Sequence, residues 1–316
     1  MTEPLKQSFK QGWALFKDSF VFLFKRPIFL GPIFIAWVAV AAIVLGTRYV
    51  LVPRAEQMTL GVVMLTVFTI LVAFTYTIIL ANTIMLEFIY NIERGEKPTW
   101  RHALRKTFIK NTVKLIPIAI IWSGILLITI LIRALTSKKR SSKKPEPSVQ
   151  DAARTLSGMN TNPFSWLTLG LRMFEKLVRM TVFLSLPAVA WEGKGPFAAF
   201  GKAFRIIKQH PVQFLSSYTL TGVAGMLMAL PLVPIYLLNE ADVQIATIVW
   251  WGVIMYSGFT WTLGIYLEQM SVGLLYLWHY KWEQGGSRGD LTNVPKPDLL
   301  DDVHEFQSKQ TEEQKD

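Results

Sequence analysis

Six long apolar stretches constrain this chain more than any other feature in it. They run from about Pro27 to Val52, Thr59 to Tyr90, Leu115 to Leu135, Phe164 to Trp191, Val212 to Leu238 and Val243 to Tyr280. A hydrocarbon core about 30 Å thick is crossed by roughly 20 apolar residues in a helix, because lipid offers backbone amides no partner. Each stretch reaches or nearly reaches that length, and the second and sixth exceed it enough to tilt or to continue past the membrane. Of the 316 residues, 51% are apolar and 17% charged, against about 25% charged in a soluble domain. The sequence therefore predicts an all-α polytopic membrane protein with six transmembrane helices, and argues against a soluble enzyme. The absence of Cys removes disulfides, thiolate metal sites and a Cys nucleophile from consideration.

The division that follows is an N-terminal interfacial helix over 1–26, a six-helix membrane domain over 27–282 and an acidic, flexible tail over 283–316. The first apolar run is longer than a signal-peptide core and lacks a small-residue cleavage site after it, so it reads as a retained span. Lys and Arg counts orient the chain. With the N-terminus inside, 21 of the 33 fall in inner segments, nine in outer ones and three in the fourth span. Both termini are thus expected on the cytoplasmic side of the membrane. The basic 136–163 loop, with Lys138, Lys139, Arg140, Lys143 and Lys144 before Pro145, then lies on the outer side. Its composition reads as disordered. If spans three and four do not both cross, that loop stays inside.

The stretch before each odd-numbered span is aromatic, basic and spaced like an amphipathic helix. Phe9, Trp13, Phe16 and Phe20 are interleaved with Lys10, Lys17, Lys25 and Arg26. Trp100, Leu104 and Phe108 come with Arg101, Arg105 and Lys106, and Phe197, Phe200, Phe204 and Ile207 with Lys202, Arg205 and Lys208. Such helices lie in the headgroup layer with cations toward anionic lipid. The first and third stretches end alike, in F-K-R-P at Pro27 and K-Q-H-P at Pro211. The second and third open alike, in E-R-G-E-K-P at 93–98 and E-G-K-G-P at 192–196. The reading is three units, each an interfacial helix followed by a membrane hairpin.

These motifs resemble those of a prokaryotic family of six-span inner-membrane proteins known only as a domain of unknown function. The likeness rests on S-F-K-Q-G-W-A-L-F-K-D-S-F near the start, Asn82 in the second span before Gly95 and Pro98, P-A-V-A-W-E-G-K-G-P at 187–196, and Leu275 with Tyr276. It covers roughly residues 8–285. It implies a topology and supplies no activity, and the basic 136–163 loop is longer and more charged than the family pattern.

Charges within spans cost at least about 2.5–3.5 kcal/mol each at a helix centre, so they mark candidate sites. The fourth span carries Arg172, Glu175, Lys176 and Arg179, the sixth Glu268, and the second Asn82 and Glu87. Glu175 is spaced to bridge Arg172 and Arg179 on one helix face. Arg179 and Glu268 each lie 13 residues from an inner flank, Glu192 and Lys281, roughly 20 Å along a helix. They are expected to pair near mid-membrane. A pair that only locks two helices, a polar cavity, and a first half of span four lying in the interface are the alternatives. Asn82 reads as interhelical hydrogen-bond glue, and Glu87 lies near the inner end of its span.

No catalytic, phosphate-binding or dinucleotide motif occurs. His102, His210, His279 and His304 are scattered. His304 stands among tail acids that read as solvated, so no metal and no cofactor is expected. The net charge of +11 flanks spans, where anionic lipid rather than nucleic acid accounts for it. The leading expectation is a non-enzymatic inner-membrane protein that binds anionic lipid through its interfacial helices and assists a membrane-protein partner. The alternative is a transporter or lipid-handling permease with a polar midplane site around Arg179 and Glu268.

Overall fold

The computed structural model describes residues 13, 16–22, 25–47, 49, 58–137, 166–241 and 243–285. The basic 138–163 stretch of the loop and the tail beyond 285 lie outside them. The described chain is helical. In order come a helical segment Phe16–Phe22, a 3-10 turn Pro27–Phe29, α1 Leu30–Gly46, α2 Leu60–Glu93, α3 Trp100–Arg105, a π-turn Lys106–Asn111 and α4 Thr112–Ser137. Then follow α5 Trp166–Ala190, α6 Pro196–Gln209, α7 Pro211–Ala229, a 3-10 turn Leu230–Leu232, α8 Val233–Glu240 and α9 Thr247–Gln284.

Among the described residues, four helical runs are long and apolar enough to cross a membrane: Gly61–Glu93, Trp100–Arg133, Pro211–Asn239 and Thr247–Gln284. A fifth appears if the segment Phe16–Phe22 and the helix after it, bent by 95°, count as one. This is fewer than the six expected. α1 has 17 residues up to Gly46, and residues 48 and 50–52 of the expected first span lie outside the described ones. α5 has the length, but Arg172, Glu175, Lys176 and Arg179 in its first half break its apolar run.

Proline decides which of the three expected units bend. Arg26 and His210, each just before a Pro, adopt nearly the same backbone conformation, φ −131°, ψ 83° and φ −127°, ψ 55°. Proline's missing N–H and its clash with the carbonyl four residues back end a helix there. The second unit has Thr112 at this place. Thr112 keeps its N–H, so α3 and α4 run on as one rod and only widen into the π-turn. The separate helix expected before the third span is therefore continuous with that span. Both corners that open alike use a left-handed glycine, Gly95 (φ 72°) and Gly193 (φ 66°). At Gly95 the cap is a Schellman motif: Glu96 N–H donates to Asn91 O at 2.8 Å, and Gly95 N–H to Ile92 O at 2.9 Å.

The core is concentrated toward one end of the bundle. Residues 180–190 of α5 and 265–279 of α9 are buried throughout, and nearly all of 78–91 in α2. An edge-to-face chain of rings, Phe22–Phe29–Phe88–Trp100, with centroid spacings of 4.8, 5.9 and 5.1 Å, ties the first segment to α2 and α3. Toward the other end side chains such as Leu65, Met226, Leu237 and Ile248 are exposed, and α1, α2 and α9 leave a groove between them.

Candidate functional site

Two polar clusters organise the bundle. The first is built on the charged half of α5. Arg179 Nε donates to Glu268 Oε2 at 2.6 Å and its terminal nitrogen to Glu268 Oε1 at 2.7 Å, a two-pronged contact between α5 and α9. Glu268 is 4% exposed. Lys176 stands 3.8 Å from Glu268 Oε1, but both carboxylate oxygens are already held by Arg179. Its ammonium donates instead to Tyr218 O at 2.5 Å and lies 4.7 Å from the Tyr218 ring centroid. Gly222 makes room for it, since a Cβ there would stand 3.0 Å from the Lys176 nitrogen.

Glu175 does not bridge Arg172 and Arg179. It accepts from Arg133 of α4 at 2.6 Å, across to the neighbouring helix, while Arg172 is exposed. The charged face of α5 is therefore shared among α4, α7 and α9, with Glu175, Lys176 and Arg179 each held by a side chain or carbonyl of another helix.

The second cluster closes the tightly packed end. Along α6 Ala199, Lys202, Ala203 and Ile206 face inward at helical spacing. Lys202, expected at the headgroups, is 5% exposed and donates to Glu192 Oε1 and Glu283 Oε2, both at 2.6 Å. Tyr276 also donates to Glu192, and Lys194 pairs with its other oxygen at 2.8 Å. Burial by itself would raise the Glu192 carboxyl, but bonds from Lys194, Lys202 and Tyr276 outweigh it and hold it below the usual carboxylate range. Burial would lower the Lys202 amine, but its bonds to Glu192 and Glu283 hold it above the usual range. Beside them His210 Nε2 and His279 Nδ1 are hydrogen-bonded at 3.0 Å, and His279 Nε2 is 3.2 Å from Glu283. The His210–His279 pair thus joins the α6–α7 corner to the end of α9.

Among the other expected site residues, Glu87 is fully buried and accepts from Lys106 at 2.7 Å. Lys106 is thereby drawn into the bundle rather than toward lipid. Asn82 is buried, and its amide nitrogen has no hydrogen-bond partner among the described residues, so it does not glue helices as expected. Lys17, Arg101, Arg105, Arg205 and Lys208 are exposed, and Lys25 and Arg26 half-buried. No group of His, Asp and Glu side chains among the described residues is arranged to hold a metal ion.

Sequence reasoning missed Arg133, Tyr218, Glu192, Glu283 and the His210–His279 contact. For Lys202 a signal exists: it repeats with Ala199, Ala203 and Ile206, and small residues at that spacing mark a face in close contact with another helix. Comparison with protein-family models finds no match to this chain, and neither the curated proteins nor the solved structures contain a match.

Proposed function

We propose that the chain crosses an inner membrane six times with both termini inside, as in the six-span family it resembles. On this reading it has no catalytic role, binds anionic lipid at its inner face and assists a membrane-protein partner. The observation that carries it is the outer face of α6. Phe197 and Phe204 are 78% and 61% exposed there, beside exposed Arg205 and Lys208. Bare aromatics and cations on one helix suit a headgroup layer and not bulk water. Arg101, Arg105 and exposed Phe108 repeat the combination around α3.

The midplane charges speak for a structural role rather than a permeation path. Glu268 is spent on Arg179, and Lys176 is turned toward the α7 backbone. A permease needs water to reach these groups, and the cavities flanking α1 are apolar instead.

The test is melting of the purified protein in nanodiscs of phosphatidylcholine alone and with phosphatidylglycerol. Anionic lipid should stabilise the wild type, and Arg205→Gln with Lys208→Gln should remove part of that gain, about 1 kcal/mol per cation. Equal response of wild type and double variant would overturn lipid binding by α6.

A further inference from the structure

α1 and α9 part above the core and enclose a groove of about 380 Å³ between them, floored by Phe74 of α2. Trp37 and Trp261 form its walls, and Trp261 stacks on Phe74 with ring centroids 5.5 Å apart. The groove leads to a recess of about 20 Å³ that shares Trp37, Val40, Trp261 and Thr262 with it and reaches Asn82. A recess of that size has room for one oxygen-sized group.

We propose that this groove binds an uncharged lipid with a carbonyl-bearing head, the chemistry of the membrane quinones, its tail in the groove and its carbonyl oxygen in the recess against Asn82. Four observations lead there. No Asp, Glu, Lys, Arg or His lines either space, so a charged head would be desolvated without a counter-ion. The volume falls within the roughly 300–1,000 Å³ of ligand sites, and mostly apolar walls with a few placed polar groups are their usual make-up.

Two polar groups of these spaces have no partner among the described residues, and each can donate to an acceptor. Asn82, 5% exposed, has a free amide nitrogen, and Ser257, 8% exposed, a hydroxyl without a partner among the described residues. An unpaired buried donor costs about 1–3 kcal/mol, which a carbonyl oxygen would recover. Two further hydroxyls of the recess are engaged, Thr262 donating to Gly258 O at 2.7 Å and Tyr266 to Ser19 O at 3.4 Å.

Depth selects among lipids. Phe74 lies 14 residues into α2 from Leu60, and Trp261 14 residues into α9 from Thr247, both about 21 Å along their helices. In a core about 30 Å thick that is well inside the hydrocarbon. Phospholipid ester carbonyls are tethered to headgroups at the surface, whereas a quinone-type head is free to enter the hydrocarbon.

The inference rests on the reading that α1, α2 and α9 lie in the bilayer. The experiment uses the full chain in phosphatidylcholine nanodiscs, titrated with decylubiquinone and followed by tryptophan fluorescence. Quenching should saturate. Decylbenzene, with the same tail and no acceptor, should compete at least about tenfold more weakly, as expected for one lost hydrogen bond. Asn82→Leu should weaken decylubiquinone by a similar factor. Gly258→Leu, whose Cβ would stand 2.8 Å from the Trp37 indole nitrogen, should abolish saturation. Gly264→Ala, with nothing within 4 Å, should change nothing. Quenching that rises linearly with quinone content, or equal competition by decylbenzene, overturns the proposal without recourse to a variant. Release of the protein from native membranes by alkaline carbonate would instead sink the bilayer reading, so the two failures are told apart.

Discussion

Arg179 grips Glu268 through two hydrogen bonds of 2.6 and 2.7 Å, and these join the middle of α5 to the middle of α9. Lys176 adds a second cation 3.8 Å from the same carboxylate. Replacing Glu268 by Gln leaves both cations in a low-dielectric interior without a counter-charge. Breaking a buried pair from one side costs about 3–5 kcal/mol, while replacing both partners by apolar groups is often neutral. Glu268→Gln should therefore lower the melting temperature markedly in detergent or nanodiscs, and Glu268→Leu combined with Arg179→Met and Lys176→Met should restore most of the loss. Equal melting of wild type and Glu268→Gln would show that the pair does not hold α5 to α9.

The Glu192–Lys202–Glu283 cluster makes stability depend on pH at both extremes. The folded Glu192 carboxyl titrates below its ordinary 4.5. Its contribution is present above that value and is lost as pH falls through the lower folded one. The folded Lys202 amine titrates above its ordinary 10.5. Its contribution is present below that value and is lost as pH rises through the higher folded one. The contribution of these two groups to the melting temperature should hold level between these limits and fall outside them. In Lys202→Met the alkaline fall attributable to this amine should vanish. Glu283 would also lose its ammonium partner and Glu192 one of its two, and the variant should be destabilised at neutral pH.

The helices and the level shared by Arg179 and Glu268 are legible in the sequence because both follow from counting. Apolar run length predicts the long helices, and 13 residues from Glu192 and from Lys281 predict that the two side chains meet. The partners of Glu175 and Lys202 are not legible that way. Local spacing offers Glu175 two arginines on its own helix, but helix packing presents Arg133 instead. In α6 the aromatic stripe draws the eye, although Ala199, Lys202, Ala203 and Ile206 form the face that meets the bundle. The one-rod path from Trp100 to Arg133 depends on a Thr where the other units carry Pro. The groove leaves no trace in hydropathy, since an apolar side chain facing a cavity reads like one facing lipid.

Close approach at Gly31 gives a sharp packing test. A Cβ there would stand 2.2 Å from a Trp100 ring carbon, and Trp100 is itself wedged against Phe88. Overpacking of this kind costs about 1–3 kcal/mol. Gly31→Ala should lower the melting temperature by that measure. Gly124→Ala, in the interior of α4 with nothing within 4 Å, should be neutral or stabilising by up to about 1 kcal/mol through helix propensity. Equal responses would mean that α1 and α3 do not meet at this contact.

Sidedness decides how the Arg179–Glu268 pair would sit in a bilayer, and a chain without Cys permits single-cysteine labelling with no background. Six crossings with both termini inside place Ser142 outside and Gly95 and Gly285 inside. A membrane-impermeant maleimide applied to intact cells should label Ser142→Cys and spare Gly95→Cys and Gly285→Cys until the membrane is opened. Labelling of all three only after opening would keep the basic loop inside and remove one crossing on each side of it. The charged half of α5 would then lie in the headgroup layer. Arg179 and Glu268 would meet at the edge of the hydrocarbon, where the cost of Glu268→Gln should drop toward the 0–1 kcal/mol of a surface pair. The labelling pattern and the melting of that variant must therefore change together.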